Sequence, residues 1–295
     1  MAGFAAWLAG HRFRRIAFIA GLFPLPFTGL VSAAIVVFSA ASYGPRKALT
    51  EVSMALLLLV LMGLLVGSDI VALAGGALLS WGFACLLGSL VHRYRSLTLA
   101  LQSAVLVSIT GMALFVLIIG DDQAFWLAWL NSFTNELSAQ GMESFEPAVL
   151  EQLSVIMTAT VSASFLLSAI LALLLGTAWW AGLQGGSLGQ LFRSFSLGYI
   201  VGGVAALLGI AALVGLPLAG DMLVVTSLGF VLQGIAVLAC WAEQRKWSGS
   251  WWAIVIVPLL LMAILPVPAA LVAMGLAAIG FIDNWYSLRP QVGHK

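Results

Sequence analysis

Charge is what this sequence has least of. Its 295 residues include 12 Lys or Arg and 11 Asp or Glu, only 8% charged, against 62% hydrophobic residues and 31 glycines. An aqueous globular domain of this length is not built from such a mixture, so the chain reads as a polytopic integral membrane protein. A net charge of +1, with no basic run beyond RFRR at Arg12 to Arg15, excludes nucleic acid as a partner. Cysteine is nearly absent: Cys85 and Cys240 both lie in apolar stretches, where a thiol behaves as a small hydrophobe, and no disulfide framework is expected. Histidine is equally scarce, and His11, His92 and His294 are scattered, which gives no metal site. H-E-x-x-H, G-x-x-x-x-G-K, G-x-S-x-G and Cys/His clusters at metal spacing are all missing. The expectation is therefore a protein that is not an enzyme and holds no cofactor. The one remaining catalytic reading is an interfacial site on His92 and Arg93 in HRYR.

What the chain does have is long apolar runs, near 16–42, 52–67, 69–91, 97–120, 152–182, 197–216, 221–241 and 251–286. A crossing needs roughly 20 residues to span about 30 Å of hydrocarbon. The middle six runs fit single crossings, with 52–67 short, while the first and last are too long. Each of those two carries a proline pair, Pro24/Pro26 and Pro266/Pro268. Proline removes a helical donor and clashes with the preceding turn, so both runs should break there into bent pairs. The fold class expected is an all-α, polytopic helical bundle of about eight hydrophobic segments with broken first and last segments, forming one integral membrane domain over 1–295.

The placement of the few charges sets a topology. The loop 121–151 holds Asp121, Asp122, Glu136, Glu143, Glu146 and Glu151 and no Lys or Arg, so it should face outward. Counting crossings from it puts Arg46/Lys47, Arg93/Arg95, Arg193 and Arg245/Lys246 inside, with Asp69 and Asp221 outside. Bent end pairs keep Arg12 and Arg289 inside too, which predicts a bacterial inner-membrane protein with both termini cytoplasmic. Trp179, Trp180, Trp241, Trp247, Trp251, Trp252 and Trp285 fall at the predicted inner boundary, where amphipathic rings prefer to sit. In the outer loop, Phe125, Trp126, Trp129, Leu130 and Phe133 recur at helical spacing, either as an interfacial helix on the leaflet or as a helix packed on the protein. RFRR followed by Val31-Ser32-Ala33 mimics a signal peptide, but the prolines interrupt its apolar region and hydrophobicity continues to Ser42, so no cleavage is expected.

No charged residue falls mid-span, which argues against a pump built on intramembrane carboxylates. Uncharged polar groups are more informative, because a hydroxyl or amide in lipid needs a partner or a cavity. Ser154, Thr158 and Ser162 form one i+4 row, and Thr160, Ser164 and Ser168 another. Thr226 and Gln233 share a face of 221–241, and Gln102 opens 97–120. These are candidate substrate-binding residues for a small molecule or lipid, although Ser and Thr also return hydrogen bonds to their own helix and let helices pack closely. Pairs such as Gly63/Gly67, Ala84/Gly88, Gly198/Gly202 and Ala205/Gly209 point to close packing.

The chain's last apolar run closes on GFIDNWYSLRP, with Asp283, Trp285 and Arg289 as a structural motif. The pattern Gly280-x-x-Asp283-x-Trp285-aromatic-x-x-Arg289 resembles the ending of the YybS-like family, bacterial membrane proteins of unknown function. The early Pro24-Leu25-Pro26, followed about 17 residues later by Tyr43-Gly44 and then Arg46, is also similar to that family. Ser287 departs from it, standing where the family often has a second acid. The resemblance implies an architecture similar to the substrate-binding S components of energy-coupling-factor vitamin transporters, which associate with a second membrane subunit and cytoplasmic ATPases. The function expected is non-enzymatic binding or transport of a small molecule or lipid in the bilayer, and the alternative is a structural or regulatory partner subunit of a membrane complex. On a straight helix Asp283 and Arg289 would face nearly opposite ways, so Asp283 is expected to reach Arg245, Lys246 or another inner-loop donor.

Overall fold

The computed structural model describes residues 2–141, 145–246, 266–286 and 288–289. Among them are twelve helices and no strand. In chain order these are α1 (Ala2–Gly10), α2 (Arg12–Leu22), α3 (Gly29–Tyr43), α4 (Pro45–Val66), α5 (Ile70–Tyr94), α6 (Leu97–Ile119), α7 (Asp122–Ala139), α8 (Pro147–Leu183), α9 (Leu188–Arg193), α10 (Gly198–Leu213), α11 (Pro217–Gln244) and α12 (Pro266–Tyr286). Five of them, α4, α5, α6, α8 and α11, are long and apolar enough to cross a membrane. The short run 52–67 becomes a full-length helix because it extends back to Pro45, whose missing N–H costs nothing at a first-turn position. The apolar helices α3, α10 and the Ala270–Tyr286 part of α12 are shorter, so the described residues hold five helices of full crossing length and three shorter apolar ones. The exterior is as greasy as the interior: Leu57, Leu61 and Leu65 of α4 are 67%, 59% and 88% exposed, a surface suited to lipid and not to water.

The first proline pair breaks the chain as expected. The turn between α2 and α3 is held by Thr28, whose hydroxyl donates to the carbonyl of Leu25 (3.1 Å). Phe23 packs edge-on against Trp81 (centroids 5.1 Å apart) and also faces Gly76, so the turn lies within the length of α5 and the pair is re-entrant in shape. Ser32 fastens it, donating to the carbonyl of Ile19 (2.7 Å) while accepting from Trp81 Nε1 (2.9 Å). Helix α3 is the axis of this half, buried without interruption from Ser32 to Ala41. It is gripped by two glycines: a Cβ on Gly88 of α5 would lie 2.6 Å from the carbonyl oxygen of Val37, and one on Gly176 of α8 would lie 2.5 Å from that of Ala34. Backbones approach this closely only where side chains are absent.

The other half centres on α11. Gly234 and Gly280 interlock α11 with α12, each leaving no room for a Cβ against the other helix's backbone. The two helices run parallel, since Gln233 meets Asp283 (2.8 Å) and, further along both, Trp241 Nε1 donates to the carbonyl of Leu288 (3.2 Å). The bend expected at Pro266–Pro268 concerns residues 247–265, which lie outside the described residues, as do Trp247, Trp251, Trp252, Glu143 and Lys295. Helix α12 begins at Pro266.

The outer-loop helix α7 is packed on the protein. Trp126 Nε1 donates to the Thr158 hydroxyl (2.8 Å), which donates in turn to Asp122 Oδ2 (2.6 Å), and Leu130 and Thr134 of α7 are buried, as are Leu150 and Ser154 of α8. At 37 residues α8 is roughly 55 Å long, well beyond a hydrocarbon core of about 30 Å. Its stretch before Thr158 forms an antiparallel hairpin with α7 beyond the end of α6.

Charge is sorted by face. Arg12, Arg14, Arg15, Arg46, Lys47, Arg93, Arg95, Arg193, Arg245, Lys246 and Arg289 sit at helix ends tied together by contacts such as His92 Nδ1 to the Ala41 carbonyl (2.9 Å), Arg95 to Gln184 (3.2 Å) and Arg289 to the Arg193 carbonyl (2.7 Å). The described acids on that face are Glu51, Glu243 and Asp283, and each is paired, to Arg15, Arg193 and Arg289 respectively. Asp69, Asp121, Asp122, Glu136, Glu146, Glu151 and Asp221 occupy the opposite end.

Candidate functional site

Two buried polar networks and one apolar groove compete as the site. The first network surrounds the non-helical stretch between α9 and α10. Backbone placed inside an apolar bundle must have its polar groups satisfied by protein. Gln233 accepts from Leu197 N–H (2.8 Å), Gln102 donates to the Leu197 carbonyl (2.8 Å), and Asn284 Oδ1 accepts from Gly198 N–H (3.1 Å). The amide of Gln233 also donates to Asp283 (2.8 Å) and to Asn284 (2.9 Å). Asp283 is paired with Arg289, whose Nε lies 3.1 Å from Oδ2, and not with Arg245 or Lys246. The expectation failed because α12 ends at Tyr286, which frees Arg289 to fold back. The paired arginine then caps the Arg193 carbonyl, and Trp285 packs on Tyr199 (5.7 Å). Gln102 and Gln233 are thus brought together around one backbone segment, and the only loose end is the buried Asn284 Nδ2, which has no partner.

The second network was not foreseen. Arg15 and Glu51, 5% and 4% exposed, form an ion pair with Arg15 Nε 3.0 Å from Oε2. Arg15 also donates to the Leu8 carbonyl (2.9 Å) near the C-terminal end of α1 and lies over the Tyr43 ring, while Ser39 donates to Glu51. Taking two charges out of water is tolerable only with every hydrogen bond made, as here. Nothing in the sequence signals that the two meet, 36 positions apart.

The hydroxyl candidates divide. Ser154 donates to the carbonyl of Glu151 (2.7 Å) and Thr226 to that of Met222 (2.7 Å), both within their own helices. Thr158 and Ser162 instead line a cavity of about 660 Å³ between α5, α6, α7 and α8. Its floor and walls are Gly82, Phe83 and Leu86 of α5, Val107, Gly111 and Phe115 of α6, and Phe165 of α8, with Trp126 at one rim. Ser108 of α6 also lines it, 7% exposed and with its hydroxyl unpartnered. Neither Gly82 nor Gly111 has any atom within 4 Å of the position a Cβ would take, so both open the cavity. A chamber of this size with apolar walls and few polar groups is typical of small-molecule sites. The sequence signal that could have found it is Ser108 near the middle of the apolar run 97–120, three residues before Gly111 and so on the same helix face. Comparison with protein families, with curated proteins and with solved structures finds no match.

Proposed function

We propose that this chain is a non-enzymatic membrane protein that binds a lipid or another amphiphilic small molecule in the groove between α5, α6, α7 and α8. The observation that carries this reading is a chamber of about 660 Å³ whose lining is apolar apart from Thr158, Ser162 and Ser108, the last with a buried, unpartnered hydroxyl. An isolated buried hydroxyl is unfavourable unless something reaches it, and a ligand acceptor at that depth would. Apart from Asn284 Nδ2, the polar groups of the two networks are partnered by the protein's own groups, which suits a scaffold holding the groove. In this reading the arginine-rich face lies in the bacterial cytoplasm and the acidic end outside. The similarity of both chain ends to the YybS-like family supports a role like that of an S component, handing a bound molecule to a partner transporter.

The test is thermal unfolding of purified protein against a panel of phospholipids, fatty acids and vitamins. Wild type should be stabilised by at least one class, and Gly82→Trp, which fills the groove, should lose that response while remaining folded. A panel that shifts neither protein rejects the reading. A second reading, a partner subunit, rests on the α7–α8 hairpin, whose Phe125, Trp129, Phe133, Val155 and Ile156 are exposed. Crosslinking through this hairpin in native membranes should then recover a second protein, and self-contacts alone would count against it.

A further inference from the structure

The groove does not stop at the α5–α8 chamber. Gly82 and Leu86 are shared with a second cavity, of about 750 Å³, that continues along α5 between it and the start of α4, past Cys85 and Ser89 to His92, Arg93 and Tyr94. From Leu78 to Tyr94 the joined groove follows α5 for roughly 24 Å, most of the thickness of a hydrocarbon core of about 30 Å. Its walls change character along the way. One end is apolar, while the other opens at Pro45 and Leu49, next to Arg46 and Lys47, with Arg93 on the facing helix end. All three cations are exposed, and Arg93 leans on the Tyr94 ring (5.7 Å). Elsewhere on this face the described acids are each held by an arginine, so none is left to neutralise this mouth.

We propose that the joined groove binds a phospholipid with an anionic headgroup, its phosphate held at Arg46, Lys47 and Arg93 and one acyl chain laid along α5 over Gly82 toward Leu78. This rests on the ligand-binding reading above and names the class of ligand. A long narrow apolar trough matches a chain, and cations at its open end match a phosphate. His92 is already committed to the Ala41 carbonyl and shapes the mouth.

The experiment is native mass spectrometry of the full-length protein in detergent, titrated with phosphatidylglycerol or with phosphatidylcholine of the same acyl chains. Wild type should retain phosphatidylglycerol with about tenfold preference. Arg93→Glu combined with Lys47→Glu, both at exposed positions, should collapse that preference to about twofold or less while leaving phosphatidylcholine adducts unchanged. Gly82→Trp should reduce adducts of both lipids. A preference that survives the charge reversal while Gly82→Trp still removes both lipids overturns the headgroup assignment and leaves the groove intact. If Gly82→Trp alters neither lipid, the groove reading itself fails. If it instead splits a homo-oligomer, the occupant is a second copy of the chain and the lipid proposal falls.

Discussion

At the scale of single residues, Asp283 shows how much one side chain can hold. It is 5% exposed and joins Gln233 to Arg289, so removing it strands a buried guanidinium and an amide. Breaking one member of such a pair costs about 3–5 kcal/mol. Asp283→Ala should therefore sharply lower folded yield and melting temperature in detergent, while an Asp283→Asn/Arg289→Met double variant should recover part of the loss. Asp121, in the acidic outer loop, has a local role: its carboxylate accepts from Ala124 N–H (2.9 Å) and caps α7. Asp121→Ala should cost about 1 kcal/mol, a small loss that melting curves can separate from that of Asp283→Ala. Ser108→Ala should raise the melting temperature of ligand-free protein, since it deletes an unsatisfied hydroxyl, and weaken retention of any bound lipid. A lower melting temperature would show that the hydroxyl has a protein partner. Gln102, Gln233 and Asp283 were legible because amides and acids are conspicuous in apolar sequence. Their convergence was not, because nothing local to any of them encodes partners 36, 50 or 95 positions away.

At the scale of elements, helix–helix distance is set by glycine. Gly176→Val would push a methyl into the Ala34 carbonyl and should separate α3 from α8, with a loss on the order of several kcal/mol. Gly75→Val, which meets nothing within 4 Å, is the control and should leave the protein folded. Fluorescence-detected size exclusion distinguishes the two, and equal profiles would show that α3 is not clamped. The proline break at 24–26 and most helix positions could be read from run length and breakers alone. The extension of α4 to Pro45 and of α8 to Pro147 could not, since polar first turns look like loop until packing is known. Gly88 was visible as a small-residue pair with Ala84, and Gly176 forms the same spacing with Ala172, but that the backbone of α3 passes over both is not encoded in either pair.

At the scale of the whole molecule, the separation of basic and acidic faces predicts the result of labelling. Cysteines introduced near Arg46, Arg93 and Arg193 should react only from the cytoplasmic side, and one near Glu136 only from outside. Uniform external labelling near Arg12 would undo the re-entrant arrangement of α2 and α3. The overall sorting was readable from charge order, because each crossing reverses the side on which the next charge falls. The depth to which the turn at 24–28 enters was not, being fixed by Phe23 against Trp81. The Arg289 to Arg193 contact joins residues 96 positions apart and reaches the loop only after nearly all of the bundle has been made. During synthesis the stretch from α9 to α10 must therefore wait in the translocation machinery's surroundings with its backbone unsealed until α12 is released from the ribosome. A nascent chain stalled before Asp283 would expose that unsealed backbone to membrane proteases, and turnover of such truncations should far exceed that of the full-length chain.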